Sequence, residues 1–89
     1  MKEIKTTNQF LRDLKLARKR GKDIQKIETV IKTLARDEKL ASKHRPHRLR
    51  GEMKGFWECH IEPDWLMIWN EDDQQIVLIR CGTHADLFE

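Results

Sequence analysis

Four side chains suited to acid–base chemistry, His47, His60, Asp64 and His84, lie in the second half of the sequence beside one isolated cation, Arg80. They fall in three separate segments: His-Arg-Leu-Arg-Gly, Glu-Cys-His-Ile-Glu-Pro-Asp-Trp and Ile-Arg-Cys-Gly-Thr-His. Imidazole gains and loses its proton near neutral pH, and a nearby carboxylate fixes its tautomer. A set of this kind suits proton transfer on a charged substrate, provided that folding brings its members together. The competing explanation for each is ordinary: an exposed ion pair for His60 or Asp64, an exposed position beside a Thr83 cap for His84. The same four residues could in principle hold zinc, but their spacing matches no familiar metal motif and the surrounding arginines would repel a cation. No metal or other cofactor is expected.

The elements that must position these groups follow from periodicity. Residues 2–6 suit a short edge strand. Thr7 or Asn8 can cap a helix carrying Phe10, Leu11, Leu14 and Ala17 as its apolar stripe, and Gly21 ends it. Asp23 can cap a second helix through Ile24, Ile27, Val30, Ile31, Leu34 and Ala35. A basic connector over residues 39–54 contains His44 and His47, with Arg45, Arg48 and Arg50 able to hold an anionic backbone near His47. Three strands follow, at 55–61, 65–70 and 75–81. Alternation puts Phe56, Glu58 and His60 on one face of the first and Trp57, Cys59 and Ile61 on the other. The expected architecture is one α+β domain over residues 1–89, ordered β-α-α-β-β-β. A helix hairpin packs on one face of an antiparallel sheet, and the first strand joins the sheet edge.

The chain has 89 residues, enough for one modest core, and 38% of them are hydrophobic. No apolar run reaches a membrane span, and the first residues lack the apolar stretch of a signal peptide, so a cytoplasmic protein without a membrane partner is expected. Cys59 and Cys81 are expected to be small buried hydrophobes. The net charge is only +3, but residues 1–54 carry 17 Lys/Arg against 7 Asp/Glu, and residues 55–89 carry 1 against 8. The basic half is suited to phosphate contacts. Arg80, the single cation of the second half, sits in an apolar strand and needs a partner there. Trp57, Trp65 and Trp69 suit a core or a sheet face, whereas Phe88 could stack on a base.

The run from Gly51 to Trp65, with its His60-Ile61-Glu62-Pro63-Asp64, and the run from Arg80 to Phe88, with Gly82-Thr83-His84 and Leu87-Phe88, resemble the YafQ branch of the RelE/ParE superfamily of bacterial toxins. The resemblance implies a toxin of a type II toxin–antitoxin system that enters the ribosomal A site and cuts mRNA there without a metal. The ribose 2′-hydroxyl attacks the adjacent phosphate and leaves a 2′,3′-cyclic phosphate. It implies His47, His60, Asp64 and His84 as acid–base residues, Arg80 as the group that stabilises the phosphorane, and Phe88 as an RNA-positioning residue. Arg48, Arg50, Lys54 and Trp65 join Phe88 as expected RNA contacts, the role of Trp65 being the least defined. Asp64 or His60 would act on the 2′-hydroxyl side and His84 on the leaving oxygen, although the residues alone leave base and acid unassigned. Implied partners are mRNA, ribosomal RNA and a cognate antitoxin, with DNA met only through the antitoxin complex. The alternative is a non-catalytic toxin of the same superfamily that inhibits a protein target such as gyrase.

Overall fold

The structure is a computed structural model that describes residues 1–88. Its elements are β1 (Glu3–Thr6), α1 (Asn8–Lys19), α2 (Ile24–Ala35), β2 (His47–Arg48), β3 (Trp57–Glu62), β4 (Trp65–Glu71), β5 (Gln75–Gly82) and α3 (His84–Phe88). The five strands form one sheet in the order β1-β5-β4-β3-β2. The three long strands form the expected antiparallel meander. Two features refine the expectation. β1 pairs parallel to β5, so the sheet is mixed, and the basic connector contributes the two-residue strand β2 against β3. Pro46 immediately precedes β2, a position where its missing amide takes no ladder bond from the strand.

Both helices begin as their caps dictate. Thr7 Oγ1 accepts from Phe10 N at 2.9 Å, and Asp23 Oδ1 accepts from Gln25 N at 3.0 Å. α1 and α2 bury Phe10, Ala17, Ile27, Val30 and Leu34 against Cys59, Ile61, Trp65, Met67, Trp69, Ile76, Leu78 and Cys81 on one sheet face. Leu11, expected in the stripe of α1, is 51% exposed. The position that turns inward with Phe10 and Ala17 is Asp13, three residues after one and four before the other. Both cysteines are free and buried, and burial pushes their thiols up to about 12.

Asp13 is buried because it completes the edge of β5. β1 covers β5 from Gln75 to Leu78 only. Beyond that, Thr7 N donates to the Leu78 carbonyl at 3.1 Å and Thr7 Oγ1 donates to the Ile79 carbonyl at 2.8 Å. Asp13 Oδ2 accepts from Cys81 N at 3.2 Å. Arg80 then closes on the same carboxylate through Nε and Nη2, each at 3.0 Å. A paired edge leaves no buried backbone amide unsatisfied.

Two irregularities in the ladder decide which side chains face away from the helices. On β5, Trp69 pairs with Leu78 but Ile68 pairs with Arg80, so Ile79 is an extra residue. Without this bulge, alternation from Ile76 and Leu78 would point Arg80 at the helices. With it, Cys81 enters the core and Arg80 joins the opposite face. A second shift lies between His60 and Glu62 on β3.

Asp13→Ala should leave the Arg80 guanidinium and the Cys81 amide without their shared acceptor. We expect a loss of about 3 kcal/mol, the lower end for a broken buried pair because Arg80 keeps some solvent. Urea unfolding of the variant checks this, and a change under 0.5 kcal/mol would show that the carboxylate is dispensable.

Candidate active site

The sheet face opposite the helices carries the chemistry. Directly paired residues share a face, so the register places His47, Glu58, Ile68 and Arg80 in one row across four strands. The next row contains His60, Leu66 and Gly82. His60 and His47 are thus diagonal neighbours, a separation of roughly 7–8 Å. Beyond Gly82 the chain turns into α3, which adds His84 and Phe88 one helical turn apart.

Asp64, in the β3–β4 turn, pairs with His84 and not with His60. Its Oδ1 accepts from the His84 backbone amide at 2.9 Å and from His84 Nδ1 at 2.7 Å. The backbone bond first, then the imidazole, holds the Asp64 carboxyl below its usual value. With Nδ1–H committed, His84 Nε2 is left for a substrate. The His60 ring lies 6.0 Å from that of His84, and the Phe88 ring lies 6.5 Å from that of His84. His60 Nδ1 donates to the Pro63 carbonyl at 3.2 Å, since a carbonyl can only accept, and so its Nε2 is free too. His60, His84, Asp64 and Phe88 therefore form one contiguous group.

α3 is fastened by a reciprocal cap. Thr83 N donates to Asp86 Oδ2 at 2.9 Å and Asp86 N donates to Thr83 Oγ1 at 3.1 Å. Arg20, at the end of α1, donates to both Asp86 oxygens, at 2.6 and 3.2 Å, which drives the Asp86 carboxyl far below its usual value. Gly82 makes this docking possible, because a β-carbon there would lie 2.8 Å from Asp86 Cβ.

His47 is set apart from this group. Its Nδ1 donates to the Arg45 carbonyl at 3.0 Å and its Nε2 lies 3.2 Å from Glu58 Oε1. Glu58 is only 5% exposed, and its second oxygen has no partner among the described residues. Sequence reasoning had put Glu58 on the face of His60 without naming it as a site residue. A carboxylate in the middle of a buried strand was the available signal. Arg80, the expected cation, commits two of its nitrogens to Asp13 while its side chain stays 32% exposed. Asp13 holds it firmly protonated.

Two of the expected RNA contacts are placed elsewhere. Trp65 is 1% exposed in the core, covered by Lys22 Nζ at 5.9 Å from its ring centre, so it offers no free stacking face. Arg48 pairs with Trp57 and stacks over its ring at 5.1 Å, on the helix side of the sheet rather than beside His47. Strand alternation is the reason: neighbours along β2 face opposite ways. Arg50 and Lys54 are exposed around a single 3-10 turn at Gly51–Met53. Among the described residues, no group of three or more His, Cys, Asp and Glu side chains is disposed to hold a metal ion.

Residues 2–89 match the family described as the bacterial toxin of the type II toxin–antitoxin system, YafQ. The chain belongs to the YafQ family. It is 36% identical over 88 residues to the mRNA interferase toxin YafQ of Escherichia coli K12, covering 98% of this chain and 96% of that protein. The toxin chain in the E. coli DinJ–YafQ toxin–antitoxin complex superposes with a TM-score of 0.92 at 36% identity, over 99% of this chain and 98% of that one. A metal-bound toxin from Helicobacter pylori superposes with the same score at 38% identity, over 99% of this chain and all of that one.

Gly82→Ala should undock α3 and separate His84 from Asp64. Faster amide exchange at residues 84–88 and loss of the His84–His60 proximity by NMR are the expected results. The Asp64 carboxyl should titrate below the ordinary value of 3.8 in the parent protein, because its charged form is the hydrogen-bonded one. Its tie to His84 is then fully present above that pH and is lost as pH falls through the lowered folded value. Carboxyl carbon shifts followed from pH 6 to 2 check the sign.

Proposed function

We propose that this YafQ-family toxin is an mRNA endoribonuclease that acts on translating ribosomes in the cytoplasm and is held in check by a cognate antitoxin. The observation that carries this reading is the pair of imidazoles 6.0 Å apart, one backed by Asp64, on an open face shared with Arg80. RNA supplies its own nucleophile, so such a site needs a base, an acid and a fixed positive charge at the phosphate.

In the proposed mechanism, His60 takes the proton of the ribose 2′-hydroxyl on its free Nε2. The oxygen attacks the adjacent phosphorus, and His84 Nε2 gives a proton to the departing 5′-oxygen. Asp64 holds His84 in the tautomer with Nδ1 protonated and sits beside the imidazolium of the acid form. The products are a 2′,3′-cyclic phosphate and a free 5′-hydroxyl. Arg80 faces the phosphate with the guanidinium edge that Asp13 leaves free, and Asp13 sets its orientation. His47, held by Glu58 one row away, serves the same phosphate group or its neighbour. Phe88 stacks on a base next to the cut, while Arg50 and Lys54 touch backbone phosphates without selecting sequence. Two features support this assignment of base and acid: His60 has no carboxylate partner among the described residues, and His84 has one.

His84→Ala and Asp64→Ala should each lower the cleavage rate by about 10²–10⁴-fold, the usual contribution of a positioned acid or base, with Tm nearly unchanged. Primer extension on message from translating ribosomes reads the cut, and the end group tests for the cyclic phosphate. Full cleavage by both variants would remove the mechanism. Intact message together with growth arrest and DNA damage would favour a gyrase-directed toxin.

A further inference from the structure

A cavity of about 460 Å³ lies beside the imidazole pair, between α2, the 3-10 turn at Ser42–His44 and the end of β3. It is within the size range of ligand clefts, roughly 300–1,000 Å³. None of the chemistry above uses it, yet His60 lines it. The cavity therefore opens onto the same residue that would take the ribose proton.

Its walls combine two kinds of surface. One is weakly polar: His44 and Pro63, with Ile61 and the backbone of His60, whose carbonyl is bonded to His44. His44 is held by the bond from its Nδ1 to the His60 carbonyl at 2.7 Å, which ties the 3-10 turn to β3. The other is cationic. Lys26 is answered by Glu62 at 2.8 Å, and the same carboxylate takes Lys22 at 3.1 Å. Lys43 and Arg45 meet no carboxylate among the described residues. Arg45 also has a left-handed backbone, φ 47° and ψ 52°, which a residue with a β-carbon rarely adopts.

We infer that this cavity is a second nucleotide subsite for single-stranded RNA, taking one base against His44 and Pro63 and its phosphate on Lys43 and Arg45. The inference rests on the proposed ribonuclease reading and extends it to a nucleotide flanking the cut. Continuity with His60 makes the occupant part of the strand being cut. An imidazole and a proline beside cations without a carboxylate partner suit a base and its phosphate better than an acidic peptide, which would need no stacking surface.

The test uses the full chain and a fluorescent hexaribonucleotide whose riboses are 2′-O-methylated, so that it binds but has no nucleophile. The parent protein should bind it. The double variant Lys43→Ala/Arg45→Ala should bind at least tenfold more weakly. The slope of log affinity against log salt should fall by about 0.7, one single-strand phosphate contact. Arg45→Gly relaxes the left-handed backbone, so it should keep or raise Tm while losing affinity, which separates binding from folding. Equal affinity and slope in parent and double variant would overturn the subsite. So would failure of the parent to bind the hexamer, or tighter binding of hexaglutamate that the double variant loses. Cleavage of message on translating ribosomes is measured alongside. Cleavage that persists while the hexamer results fail sinks the subsite alone, and absence of cleavage by the parent sinks the ribonuclease reading.

Discussion

One buried carboxylate organises this molecule. Asp13 reaches from α1 to the edge that β1 leaves open on β5 and accepts from both the Cys81 amide and the Arg80 guanidinium. Charge buried in this way is costly unless every lone pair is used. Here the neutralising partner is Arg80, the cation of the proposed reaction. The helix layer and the candidate catalytic face are thus joined through this ion pair, as they are through Arg20 and Asp86, and the bearing of Arg80 depends on where α1 lies.

The bulge at Ile79 does comparable work at the level of the backbone. It returns Cys81 to the core and moves Arg80 into the row with Ile68, Glu58 and His47. A β-strand gives each side chain one of two faces, and one extra residue exchanges them. Gly82 then permits the close approach of Asp86 that fastens α3 and presents His84. The site is assembled from a strand row, a turn and a short helix, each with its own anchor.

Much of this was legible in the sequence. The caps Thr7 and Asp23, the apolar periodicity of α2 and the alternation Phe56, Glu58, His60 all speak through local chemistry. What was not legible is what depends on long-range partners. Leu11 and Asp13 look exchangeable in a one-dimensional stripe until β5 supplies the edge that Asp13 completes. Asp64 sits four residues from His60, which suggested that pair, but the turn aims it at His84, twenty positions away. The charge asymmetry read as a surface for phosphate is in part internal stitching: Lys2 to Glu71, Arg20 to Asp86, Lys22 and Lys26 to Glu62. Exposed pairs of this sort are worth little singly. Their effect is to leave a smaller, more localised set of free cations than the composition suggests.

The span bridged by Asp13 and Arg80 bears on the order of assembly. The two residues are 67 positions apart, whereas the meander joins strands that are adjacent along the chain. Contacts across so long a loop must repay its closure entropy before they stabilise anything, and they form slowly. The hairpins can therefore exist before the N-terminal layer settles on them. Until it does, Arg80 has no fixed bearing, so closing this long contact and orienting the proposed phosphate-binding cation are one event.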